Sequence, residues 1–301
     1  MLTRRHLLTV TAAAAALAVA GPVAARDKLK VLATFSILGD FVKNVGGDRV
    51  EVMTLVGPNG DAHVYAPAPA DAKKVADAKV VITNGLGFEG WMSRLVRASG
   101  SKAPVVVASK GITVRKPAAG GSPGHSDADP HAWQSVANAK VYVANIRDAL
   151  IAADPAGKPD YDANAAAYLA RLDALDREVK AAVAAIPADR RKVISTHDAF
   201  GYFEQAYGID FVALQGVSTE TEPSARDVAR IIAQIKRQKI PAVFLENVTD
   251  PRLMQQVAQE TGARVGGKLY SDALTGADGE APSYVEMMRF NVKQLSTALM
   301  S

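Results

Sequence analysis

Of the five histidines in this 301-residue chain, His6 lies in an apolar N-terminal stretch and four remain: His63, His125, His131 and His197. There is no cysteine, so disulfides, thiolate centres, iron–sulfur clusters and a Cys nucleophile are excluded. Any transition-metal site must therefore be built from imidazoles and carboxylates. His63 stands in Gly60-Asp61-Ala62-His63-Val64-Tyr65, His131 in Asp129-Pro130-His131-Ala132-Trp133, and His197 at the end of Lys192-Val193-Ile194-Ser195-Thr196-His197. Asp272, in Leu269-Tyr270-Ser271-Asp272-Ala273-Leu274, is the matching carboxylate. Three imidazoles and one carboxylate form an N3O set that suits tetrahedral Zn²⁺ and admits other divalent metals.

The spacings are 68, 66 and 75 residues, so no two candidates share a helix face or a hairpin. What must bring them together is an open α/β sheet, in which loops beyond the carboxyl ends of strands converge on one crevice. Val50–Val56, Val80–Thr83, Val105–Val107, Lys192–Thr196, Phe211–Leu214, Ala242–Leu245 and Val265–Leu269 read as strands. Phe35–Val45, Ala70–Ala78, Glu89–Ala98, Ser135–Ala153, Phe200–Tyr207, Ser224–Gln238, Pro251–Thr261 and Ser283–Leu299 read as helices. Their alternation predicts largely parallel sheets. The stretch from Lys30 to Gly46 recurs 162 residues on, from Lys192 to Gly208, with six of seventeen positions identical, which predicts two lobes of one architecture. Between them Tyr161, Ala165, Tyr168, Leu172, Leu175, Val179, Ala182 and Ile186 keep one apolar stripe, opened by Pro159-Asp160 and closed by Pro187. Rich in Ala and Leu, this segment reads as a rigid helix of roughly 40 Å rather than a flexible linker. The expected division is 1–25 leader, 26–158 N-terminal α/β lobe, 159–187 linker helix and 188–301 C-terminal α/β lobe.

The leader pairs Arg4 and Arg5 with an apolar run from Leu7 to Ala20 and a small-residue cleavage site at Val23-Ala24-Ala25, the pattern of a cleaved signal peptide, with a twin-arginine resemblance. The net charge of +4 falls to +2 without Arg4 and Arg5, and the basic residues are scattered, which excludes nucleic acid as a partner. Each candidate ligand also has a plain structural reading. His63 fits a hydrogen-bonded loop, His131 a helix flank, His197 packing at a strand end, and Asp272 a turn or cap. A zinc hydrolase with three imidazole ligands and Asp272 as base competes, although His-Glu-x-x-His and Gly-x-Ser-x-Gly are both absent. An exported adhesin is a further reading. From the residues themselves, a candidate site is as far as the argument goes.

The four motifs, in this order and across essentially the whole chain after the leader, resemble those of the zinc/manganese solute-binding proteins of bacterial ABC transporters, the cluster A-I family. Thr219-Glu220-Thr221-Glu222-Pro223-Ser224 resembles the family's loop ahead of a helix in the C-terminal lobe. The resemblance implies two similar Rossmann-like α/β lobes joined by one long rigid helix. One metal would lie in the cleft between them on His63, His131, His197 and Asp272, and no catalytic residue is implied. It also implies a periplasmic protein, expected to be a monomer, that delivers the metal to a membrane permease driven by a cytoplasmic ATPase, with a metallochaperone as a further partner. The chain departs from the family at Ala62 and Ala66, which replace Pro and Glu in the first motif, and in a short Pro117–Asp129 loop.

Manganese-type relatives usually carry Glu where His197 stands, so three neutral imidazoles predict Zn²⁺ as the cargo, with Mn²⁺ or Fe²⁺ as the alternative. Asp129 and Asp198 are candidates for orienting the imidazoles, and Trp133, Phe200 and Tyr202 for walling the site from water. His125 and Asp127 are candidates for transient metal recruitment in the loop, whose deletion would slow loading while leaving affinity nearly unchanged.

Overall fold

The computed structural model describes residues 27–117 and 128–300. Its N-terminal half is built from β1 (Leu29–Phe35), α1 (Ser36–Gly46), β2 (Val50–Val56), α2 (Pro69–Asp77), β3 (Val80–Thr83), α3 (Met92–Ser99), β4 (Val105–Val107) and α4 (Val136–Ala153). After α5 (Lys158–Ala184) come β5 (Lys192–Ser195), α6 (Gly201–Tyr207), β6 (Asp210–Ala213), α7 (Ala225–Gln238), β7 (Ala242–Glu246), α8 (Arg252–Thr261), β8 (Arg264–Leu269) and α9 (Tyr284–Met300). Each half forms a four-stranded parallel sheet, in the orders β2-β1-β3-β4 and β6-β5-β7-β8. The two orders are the same, so the repeat seen at an offset of 162 residues is a repeat of architecture. Its shared glycines nevertheless serve different ends. Gly208 ends α6 in the left-handed region at φ +81, whereas Gly46 is needed because a Cβ there would collide with the Val50 side chain.

β1 is buried on both faces from Val31 to Phe35, as a central strand of a parallel sheet should be. The long helix α5 buries Tyr161, Ala165, Tyr168, Leu172, Leu175 and Val179 on one stripe. The stripe then continues through Val183, while Ala182 is only partly buried and Ile186 packs just past the helix end. Helix α5 packs against α1 and α4 of the first half and against α9 of the second. A single buried cluster runs from Val31 in the first half to Leu299 in the second. A separate, smaller cluster (Ile231, Ile235, Val243 and Met254 among it) lies beneath α7 and α8. Burial of each such aliphatic chain contributes about 1.5–3 kcal/mol.

Most boundaries differ from expectation by a residue or so and the end of α5 by three, and two of the differences have identifiable reasons. Helix α3 starts at Met92 rather than Glu89, because Gly85, Leu86 and Gly87 all have positive φ and the Glu89 carboxylate turns back to accept the N–H groups of Asn84 and Gly85. Strand β5 ends at Ser195 rather than Thr196, because the N–H groups of Thr196 and His197 are taken by the Glu246 carboxylate at 2.7 and 3.0 Å. That second departure lies in the functional site.

Candidate metal centre

His63 follows β2 in the loop leading to α2, and its N–H donates to Asp61 Oδ1 at 2.9 Å. Trp91 Nε1 donates to Ala62 O at 2.9 Å and anchors the same loop. His131 precedes a single 3₁₀ turn and α4. His197 follows β5, and Asp272 follows β8. All four therefore stand in loops between or beyond the two sheets, and their ligand atoms lie within 4.8 Å of one another. His63 Nε2 is 3.2 Å from His131 Nε2 and 3.3 Å from Asp272 Oδ2; His197 Nε2 is 3.1 Å from Asp272 Oδ2. Neither Asp272 oxygen nor His197 Nε2 has a hydrogen-bond partner, although all are buried. Orphaned buried polar atoms on this scale need a compensating group, and a cation at their centre would supply it.

Two imidazoles are aligned from behind. His131 Nδ1 donates to Asp129 Oδ1 at 2.9 Å, and His197 Nδ1 donates to Glu246 Oε2 at 2.5 Å. A proton held on Nδ1 leaves the lone pair on Nε2, facing the other ligands, which is the usual arrangement behind a metal-binding histidine. Asp129 is further held by Arg115 Nη1 at 2.9 Å. Burial would raise the Asp129 pKa, but the His131 and Arg115 contacts bring it below the usual carboxylate range. Asp198 does not take the orienting role expected of it. It lies 4.0 Å from Arg115 Nη1, and the His197 ring is aligned by Glu246 from the end of β7, 49 residues away in sequence. Only the convergence of β5 and β7 reveals that partner.

Burial depresses the pKa of His63, favouring the neutral, metal-binding ring. At His197 burial acts the same way but is overcome by Glu246 and Asp272, which raise its pKa well above the usual value. Burial of Asp272 is likewise overcome, by His197 and His131, leaving its pKa well below the usual range. An anion among clustered imidazoles is the electrostatic signature of a cation site.

The aromatic wall only partly matches expectation. Trp133 is fully buried, with its ring centroid 5.4 Å from that of His131 and its Nε1 donating to Ser271 O. Phe200 instead stacks on Phe211 at 4.6 Å, packing α6 onto β6 away from the imidazoles. Tyr202 accepts from Arg115 N and donates to Asp129 O, tying the segment before His131 to α6. The wall residue that sequence reasoning missed is Phe88, whose ring meets His63 at 4.7 Å and His131 at 6.0 Å. His125 and Asp127 lie outside the described residues.

The family model for the "Zinc-uptake complex component A periplasmic" matches residues 31–298. The chain belongs to this family. Among curated relatives it is 35% identical to the iron-binding protein YfeA of Yersinia pestis, over 94% of this chain and 90% of that one. It is 33% identical to the manganese ABC transporter substrate-binding lipoprotein PsaA of Streptococcus pneumoniae, over 91% and 89%. Its fold superposes on the periplasmic zinc binding protein TroA from Treponema pallidum with a TM-score of 0.85 and 30% identity, covering 91% of this chain and 99% of that one. A Mn-bound periplasmic metal binding protein from Candidatus Liberibacter asiaticus gives 0.80 at 30% identity, covering 91% and 100%. This member of the family is accordingly a metal-binding, substrate-binding component of an ABC transporter and not an enzyme, which removes the hydrolase reading.

Proposed function

We propose that this protein captures Zn²⁺ outside the cytoplasm on His63, His131, His197 and Asp272 and hands it to an ABC permease driven by a cytoplasmic ATPase. The observation that carries the zinc reading is the donor set: three buried imidazole nitrogens against one carboxylate, two of the rings fixed with Nε2 free. Imidazole nitrogen suits the borderline Zn²⁺ better than the harder Mn²⁺. Both Asp272 oxygens lack hydrogen-bond partners, so the carboxylate is free to bind through one or both. No helix among the described residues is long and apolar enough to cross a membrane. This fits a protein that meets the permease from outside the bilayer after export by a cleaved leader.

The competing reading is Mn²⁺ or Fe²⁺ as cargo, favoured by the names of the manganese- and iron-binding relatives. Competitive titration of the metal-free protein separates the two. Zn²⁺ is expected to displace Mn²⁺ and Fe²⁺ at equal concentrations, and tighter binding of either competitor would overturn the zinc assignment.

A further inference from the structure

Both imidazoles of the N-terminal half are presented by the same three-residue device. In Asp61-Ala62-His63 and in Asp129-Pro130-His131, one aspartate oxygen accepts the N–H of the histidine two residues on, at 2.9 and 3.0 Å. Aspartate favours such local turns because its short side chain reaches the backbone two residues ahead. The second oxygen is used differently in the two copies. Asp129 Oδ2 pairs with Arg115, from the same half of the molecule. Asp61 Oδ2 accepts from Thr219 Oγ1 at 2.6 Å, reaching across the cleft to a residue 158 positions away.

The His63 arm is also the less secured of the two. Among the described residues no carboxylate is hydrogen-bonded to His63 Nδ1, whereas His131 and His197 each have one. His63 is 8% exposed while His131, His197 and Asp272 are at 0%. It faces a cavity of about 640 Å³ that is also lined by Phe88, Trp91, Arg94 and Glu220. The base of its loop is held by Asn59, whose N–H donates to Leu274 O at 2.8 Å. Asp61 itself is tied to the opposite lobe through Thr219.

We propose that Thr219 is a positioning residue whose hydroxyl, through Asp61, latches the His63 turn onto the C-terminal lobe, and that opening this latch is the step that lets the bound cation go. The Arg115 support on the Asp129 carboxylate stays within one lobe and travels with its histidine when the lobes shift, while the links across the cleft from Tyr202 reach only the backbone of that segment. A support that spans the cleft is broken by that shift. His63 then loses its alignment first, on the side where the cavity offers a way out. The inference rests on the reading of the four side chains as metal ligands, and the test separates the two.

The protein is loaded with Zn²⁺ and chased with excess chelator while release is followed by stopped flow. The variants are Thr219→Val, which keeps the shape and removes the donor, and Thr219→Ser, which restores it. Thr219→Val is expected to release zinc about tenfold faster, the scale of a lost hydrogen bond to a charged acceptor. Thr219→Ser should follow the parent protein. The visible spectrum of the Co²⁺-loaded form should be the same in all three, because the ligands are unchanged. An unaltered release rate in Thr219→Val, equal acceleration in Thr219→Ser, or a changed Co²⁺ spectrum would overturn the latch. If the parent protein retained neither metal, the ligand assignment would fail and the latch with it.

Discussion

The two halves of the molecule hold their metal-facing groups in contrasting ways. In the C-terminal half His197 directly follows β5, and one carboxylate, Glu246 at the end of β7, accepts the N–H groups of Thr196 and His197 as well as the His197 ring proton. Asp272 follows β8, and Gln134 Nε2 and Trp133 Nε1 both donate to the carbonyl of the adjacent Ser271. In the N-terminal half both histidines sit on Asp-x-His turns in loops, supported chiefly by their own aspartates. The C-terminal pair and His131 are thus each held by a partner behind them, and His63 is the arm with the least support. Side chains held in place before the ligand arrives lower the cost of binding it.

The largest expected effect comes from removing the one anionic ligand. Asp272→Ala should weaken Zn²⁺ binding more than a hundredfold, about 3 kcal/mol or more, since it leaves the cation and imidazoles without their countercharge. Equilibrium competition with a chelator measures it. A sharper probe sets Glu246→Gln against Asp129→Asn. In the first, the amide oxygen stays on the backbone donors and the amide NH₂ faces His197 Nδ1, forcing the proton onto Nε2 and blocking the ligand lone pair. In the second, the oxygen can keep both His131 donors, so only the Arg115 ion pair is lost. Glu246→Gln should therefore cost about 10- to 100-fold in affinity and Asp129→Asn less. The reverse order would break the contrast between the halves.

The effect of pH is graded rather than all-or-none. The two carboxylates raise the His197 pKa well above the usual histidine value against the effect of burial, so in the metal-free protein Nε2 takes up its proton at a higher pH than an ordinary imidazole does. The cation must displace that proton, and affinity should climb as pH rises through the window above about 6.5, by up to roughly tenfold per unit. The metal-free protein should show the opposite slope. Its gain from the charged His197 is present below about pH 6.5 and is lost as pH rises through the folded value. Calorimetric titration and thermal melts between pH 6 and 8 would register both trends. A flat affinity profile would mean that His197 is already neutral in the unliganded protein.

Much of this architecture is legible along the chain because it depends on local patterning. The β-branched runs mark most of the strands closely, and the steps of three and four from Tyr161 to Val179 mark the buried stripe of α5. The repeated Lys30 and Lys192 segments mark two sheets of the same strand order. Placement of the four candidates just past predicted strands or ahead of a helix was likewise visible. Less visible were features that depend on a neighbour far away in sequence. The start of α3 escapes the sequence because the positive φ of Leu86 belongs to a loop folded around the half-buried Glu89 carboxylate, not to its residue type. Asp198, adjacent to His197, is one of two candidates the sequence offers for orienting the imidazoles, yet Glu246 stands behind the His197 ring.

The order of residues alone therefore settled which donor types exist, the absence of cysteine, and the positions from which strand-end loops offer imidazoles and a carboxylate. Only the folded chain decided that Glu246 stands behind His197, that Phe88 rather than Phe200 flanks the rings, and that Thr219 reaches Asp61 across the cleft. The physical reason is that periodicity and turn chemistry act over a few residues, whereas a hydrogen bond or ring contact needs only spatial proximity. In this molecule that proximity arises where loops beyond the strands of two parallel sheets meet.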